Sequence, residues 1–126
     1  MVSRDPYNVL IAVYMMANKR HGTIYIGVSS ELITRVGQHR EGCIPGFTRK
    51  FDLKRLVWFE PHERIVDAIR REKLLKKYKR EWKINLIERD NPYWVDLFPW
   101  LTGQVGSKPD TEFMGRRDKP GGDGVG

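Results

Sequence analysis

Two runs of strand-forming residues separated by a short polar stretch constrain this chain more than any other feature. Leu10–Met16 and Thr23–Val28 are rich in Ile, Val, Tyr and Met, the side chains that suit a pleated, half-buried surface. The intervening Ala17–Gly22 is polar and ends in glycine, so an antiparallel hairpin is the economical connection. Pairing symmetrically about the loop sets Met16 opposite Thr23 and Tyr14 opposite Tyr25. The two-residue period of a strand then sorts the faces. One face carries Ile11, Val13, Met15, Ile24, Ile26 and Val28, all apolar, and reads as a core face. The other carries Ala12, Tyr14, Met16, Thr23, Tyr25 and Gly27, two phenols flanked by small residues, with room for something to approach.

Beyond the hairpin the pattern turns helical. Ser29 or Ser30 is a natural N-cap and Glu31 suits a first turn, which predicts a helix from Glu31 to Arg40 stopped by Gly42. Leu32, Ile33 and Val36 would anchor it, and Arg35 and His39, four apart, share a neighbouring stripe. Cys43–Phe51 reads as a loop. Leu53–Glu60 reads as a third strand ended by Pro61. A long helix follows from Glu63 to about Arg80, with Ile65, Ala68, Ile69 and Leu75 on its apolar side and Glu72 at the edge of that stripe. Trp82–Glu88 continues helically or after a break, and Pro92 opens a short element in which Trp94, Leu97 and Phe98 pack.

Charge narrows the choice of partner. The 126 residues hold 23 Lys+Arg against 16 Asp+Glu, a formal +7, and the pI is near 9.7. Residues 35–89 carry 16 basic and 8 acidic side chains, whereas the remainder is close to neutral. A one-signed surplus on so small a domain points to a polyanion, nucleic acid before membrane. Within Arg70–Lys83, Tyr78 and Trp82 are interleaved with eight cations, as stacking or packing groups would be; a merely solvated helix face is the competing reading. The single cysteine, Cys43, allows no internal disulfide. The longest apolar run near the start, Val9–Ala17, is too short to span a bilayer and lacks the flanks of a signal peptide, so a soluble, cytoplasmic protein is expected. Residues 1–101 form the expected working domain. Residues 102–126, rich in Gly, Pro and charge, are expected to be a flexible tail.

The spacing of the polar residues then takes on meaning. Tyr25-Ile26-Gly27, with Tyr14 eleven positions earlier, Arg35 ten positions later and Glu72 on the following long helix, resembles the GIY-YIG nucleases. It is most similar to small single-domain bacterial members, themselves like the N-terminal nuclease domain of the bacterial excinuclease. Gly46–Lys50, Arg71–Lys73 and Trp82–Trp94 match further parts of the pattern, and the resemblance runs from about Tyr7 to Leu97. It implies an α+β fold, a small three-stranded antiparallel sheet flanked by helices. It also implies hydrolysis of DNA phosphodiester bonds with one divalent cation, Mg²⁺ or Mn²⁺, with repair or recombination structures among the expected substrates. Carried over residue by residue, Tyr14 and Tyr25 take the two motif tyrosines, Arg35 the helix arginine and His39 the position one turn on. Glu72 takes the metal-ligand acid and Asn85 the terminal asparagine. The first triplet is Val13-Tyr14-Met15, which keeps only the tyrosine. The lysine that many members carry after the second triplet is absent from Val28-Ser29-Ser30, leaving Arg49 or Lys50 to supply that phosphate contact.

The chemistry makes the set coherent. Cleaving a phosphodiester puts negative charge on equatorial and leaving oxygens, so cations must be fixed where that charge develops. A guanidinium matches phosphate bidentately. Mg²⁺ keeps several waters and needs only one or two protein carboxylates, which fits Glu72 as sole ligand. Tyr14, Tyr25 and His39 are the three candidates for the general base. Thr48, Arg49, Lys50, Lys76, Lys77 and Lys79 are the expected DNA contacts, by backbone rather than by base sequence. The alternative is a nucleic-acid-binding module with the nuclease fold and little or no cleavage.

Overall fold

β1 (Ala12–Ala17) is buried along its whole length and forms the centre of a three-stranded antiparallel sheet, flanked by β2 (Ile24–Ser29) and β3 (Arg55–Pro61) in the order β2-β1-β3. The computed structural model describes residues 10–104; the expected tail from 105 onward and the first nine residues of the expected domain lie outside them. Among the described residues five helices complete the α+β fold: α1 (Leu32–Arg40), α2 (Phe47–Lys50), α3 (Ile65–Lys76), α4 (Arg80–Asp90) and α5 (Phe98–Leu101). Among the described residues no helix is long and apolar enough to cross a membrane.

The hairpin register differs from the symmetric expectation by two residues. Met16 faces Tyr25, and Tyr14 faces Gly27 rather than Tyr25. The cause lies in the loop, where the Thr23 N–H donates to Asn18 Oδ1 at 3.0 Å and the Gly22 N–H to the Lys19 carbonyl at 3.0 Å. These bonds, with His21 in the left-handed region at φ 58, take Thr23 out of the strand. A shift of two preserves parity, so the faces are sorted as expected.

Both faces are nevertheless core. Val13, Met15 and Ile26 pack with Val57 and Trp58, with Ala68 and Leu75 of α3, and with Ile87 of α4. On the other face Ala12, Tyr14 and Met16 pack with Leu32 and Val36 of α1, and with Leu53, Leu56, Leu97 and Leu101. A sheet buried on both sides needs apolar side chains on both, and Ala12 and Met16 supply what the phenols do not. A bulge between Met15 and Met16 gives β3 one extra residue and turns Val57 into the α3 side. The free edge of β3 is covered by the segment after α4. Leu97 N–H donates to the Leu56 carbonyl at 2.8 Å, Asp96 Oδ1 accepts from Leu56 N–H at 3.1 Å, and Asn91 Nδ2 donates to the Val57 carbonyl at 3.0 Å. Arg40 of α1 pairs with the same Asp96.

Several boundaries move for local reasons. Helix α1 begins at Leu32, with Glu31 as N-cap, and Ser29 Oγ accepts the Glu31 N–H at 2.9 Å instead of capping the helix. Gly42, at φ 73, takes the left-handed position just past α1, where a side chain would be strained. The expected loop after Cys43 contains the single turn α2. The long helix stops at Lys76, and α4 starts afresh at Arg80. Pro92 opens a turn rather than a helix, and the last helix forms instead around Pro99. Ile65 and Ile69, assigned to the apolar side of α3, are 36% and 38% exposed; Ala68 and Leu75 alone of that set reach the core.

Candidate active site

Tyr14 is the hub. Its ring lies across Gly27 on the neighbouring strand, where an added Cβ would sit 2.6 Å from both Cζ and the hydroxyl and 2.9 Å from Tyr25 Cε2. Gly27 is therefore required by Tyr14, and the missing side chain lets the phenol reach over β2. The Tyr25 ring is 6.3 Å away and tilted by 51°. Diagonal rather than directly opposed, the two phenols share one face of the sheet.

His39 comes from the last turn of α1 and touches both rings, 5.7 Å from Tyr14 and 5.4 Å from Tyr25. Its Nε2 shares a 2.8 Å hydrogen bond with the Tyr14 hydroxyl, and its Nδ1 one of 2.9 Å with Thr48 Oγ1. Tyr14, His39 and Thr48 are all buried, at 1%, 3% and 3% exposure. Burial is the first cause of both shifted proton affinities. It pushes the Tyr14 phenol well above the ordinary tyrosine range, with Tyr25 and Glu72 adding to the rise and Arg35 opposing it. It holds His39 down to about 4, with Arg35 adding to the fall. At neutral pH the pair is thus a protonated phenol and a neutral imidazole. The Thr48 hydroxyl can donate or accept, so it serves whichever His39 tautomer Tyr14 selects.

Arg35 and Glu72 approach from outside this buried chain. Arg35 is exposed on α1, beside a shallow polar depression lined with Ser29, Ser30, Glu31, Thr34 and Gln38. Glu72 sits on α3 at the margin of its buried stripe, and its side chain is 13% exposed. The adjacent Arg71 fixes α3 against β3, its Nε donating to Glu60 Oε1 at 3.0 Å. The charges of Arg35 and Glu72 both bear on the Tyr14 phenol, in opposite directions. The phenol-bearing face was expected to leave room for something to approach, but Tyr14 is enclosed; Tyr25, Arg35 and Glu72 are the members with exposed surface.

The remaining expected residues divide. Thr48 is turned inward onto His39 and presents no hydroxyl to DNA, a correction to its place among the surface contacts. Lys76 is committed to Glu72, Nζ to Oε2 at 2.8 Å, one helical turn apart. Arg49, Lys50, Lys77 and Lys79 are exposed. Lys79 lies 5.5 Å over the Trp82 ring. Asn85 is exposed on α4, lining a depression with Tyr78, Trp82, Leu86 and Arg89, and stands outside the Tyr14 group. The role of Thr48 was not legible in the sequence, because a contact nine residues away across a turn has no periodic signature. Nor was that of Phe47, which stacks on Tyr25 at 6.3 Å and 29°. A signal for it exists in two aromatics four apart in an otherwise basic segment.

Among the described residues no group of three or more His, Cys, Asp and Glu could hold a metal ion. One carboxylate, partly open to solvent, suits a cation that keeps most of its water and would exchange the Lys76 ammonium for it. Comparison with curated proteins and with solved structures finds no significant match. The sequence model of the GIY-YIG catalytic domain matches residues 10–85, a span from the start of the sheet to α4 that takes in every residue of the Tyr14 group. The chain belongs to the GIY-YIG catalytic domain family, a family of nucleases.

Proposed function

We propose that this protein is a metal-dependent endonuclease that hydrolyses DNA phosphodiester bonds in the cytoplasm. The observation that supports this reading is the buried Tyr14–His39–Thr48 hydrogen-bond chain with Tyr25 against its rings, on which the opposite charges of Arg35 and Glu72 both bear. Arg35 is the cation for the scissile phosphate, its guanidinium facing charge that grows in the transition state. Glu72 is the residue that would hold Mg²⁺ or Mn²⁺, which when bound supplies charge stabilisation at a phosphate oxygen. Tyr14 and His39 are ill suited as the base. A buried phenol with raised affinity keeps its proton, and an imidazole held near 4 accepts one poorly. Tyr25, partly exposed beside them, is the side chain assigned to meet the attacking water, while Tyr14 and His39 hold its ring in place.

The surplus of positive charge supports backbone-directed DNA binding, with Arg49, Lys50, Lys77 and Lys79 as the contacts. The runner-up, a binding module without cleavage, draws on the Glu72–Lys76 pair, which competes with any cation for the carboxylate. Incubation with plasmid, single-stranded and branched DNA, with and without Mg²⁺ or Mn²⁺, separates the two. Metal-dependent cleavage of at least one substrate is expected. Clear binding with no cleavage under any metal condition would establish the runner-up.

A further inference from the structure

A row of aromatic rings leads outward from the site. Tyr25 contacts His39, Phe47 stacks on Tyr25, and Phe51 meets Phe47 at 4.8 Å and 50°. The row ends in the open, with Phe47 46% and Phe51 40% exposed. Neither ring is loosely held. Phe47 begins the single turn α2 and Phe51 follows it, joined by the Phe51 N–H to the Phe47 carbonyl at 3.1 Å. Thr48 between them is buried on His39, and its carbonyl accepts the N–H of the buried Leu53 at 2.9 Å. The turn thus keeps its polar anchor inside and its two phenyl rings outside, an inversion of the usual sorting. Arg49 and Lys50 are exposed on the same turn, and Lys50 Nζ lies 5.5 Å over the Phe51 ring.

Phosphate gains nothing from a phenyl ring, which has no donor and no charge. What such a ring offers is a π-face, and a base can use it only when one of its own faces is free. In continuous duplex those faces are taken by neighbouring base pairs; in a single strand, flap or junction they are not. We propose that Phe47 and Phe51 form a stacking platform for an unpaired DNA base beside the scissile phosphate, with Arg49 and Lys50 on the flanking phosphates. The protein then favours DNA with unpaired nucleotides over continuous duplex. This rests on the nuclease reading for the position of the phosphate.

The test reads binding alone, so failure of cleavage does not decide it. Fluorescence anisotropy without metal compares a short labelled single strand, the matched duplex and a duplex with a single-stranded flap. Each of Phe47→Ala and Phe51→Ala should weaken binding to the single strand and the flap by about 5- to 150-fold, the range for loss of one base–aromatic stack. Duplex affinity should move less than about twofold, within the spread of ordinary surface changes. Fluorescence of 2-aminopurine placed in the strand should be quenched on wild type and recover with Phe47→Leu, which keeps the apolar bulk and removes the ring. Parallel loss on duplex and single strand would overturn the platform. So would unchanged single-strand binding, including the case where the substitutions alter only the oligomeric state.

Discussion

Acidification should destabilise this fold through His39 by an amount the structure sets. The imidazole is 3% exposed, bonded at both nitrogens, and held down to about 4 from an ordinary 6.5. Above pH 6.5 it is neutral whether the chain is folded or unfolded, and it makes no difference. As pH falls below 6.5 the unfolded chain takes up a proton that the folded one refuses until about 4. Stability therefore drops as pH falls through that window, and the loss saturates below it. One proton over that interval is worth about 1.4 kcal/mol per pH unit, so roughly 2–3 kcal/mol is lost by about pH 4.5. Urea unfolding of wild type and of His39→Gln across the same pH series isolates the effect, because the other titrating groups are common to both. The wild-type curve should fall more steeply by that amount. Parallel curves would refute the account of a buried, neutral His39.

Three further outcomes follow from single contacts. Gly27→Ala forces a Cβ to within 2.6 Å of the Tyr14 ring, which overpacks a closed site; a loss of about 1–3 kcal/mol in urea unfolding is expected, and wild-type stability would show that the ring moves freely. Arg35→Ala should lower the cleavage rate by about 10²–10³-fold in a plasmid assay, and an unchanged rate would remove Arg35 from the chemistry. Charge reversal at Lys77 and Lys79 should weaken binding to all DNA sequences alike and flatten its salt dependence; an unaltered slope would make those lysines a solvated face. Lys76 is left out of that variant because it would disturb Glu72.

Much of the site was legible because parity is robust. A two-residue slip in the hairpin left Tyr14, Tyr25 and Gly27 on one face. The slip itself was hidden, because it depends on the Asn18 side chain closing the loop. Likewise nothing in the local pattern says that Asp96 and Asn91 return to cover β3. Periodicity placed Ile65 and Ile69 with Ala68 and Leu75, but at about 100° per residue they lie to one side of the Ala68–Leu75 line that faces the sheet, and they stay partly exposed. The phenol-bearing face looked open because its small residues leave space; α1 and the α5 segment fill it with leucine. Tertiary closure of this kind is set by elements distant in sequence.

In the proposed reaction Glu72 acts in the chemical step, together with Tyr14, Tyr25 and Arg35. Glu72→Gln keeps the size of the side chain and removes its charge, so single-turnover cleavage and DNA affinity measured on the same variant test the claim directly. Cleavage should be lost at every Mg²⁺ and Mn²⁺ concentration while DNA affinity stays within about threefold of wild type. Metal-dependent turnover at the wild-type rate would contradict it.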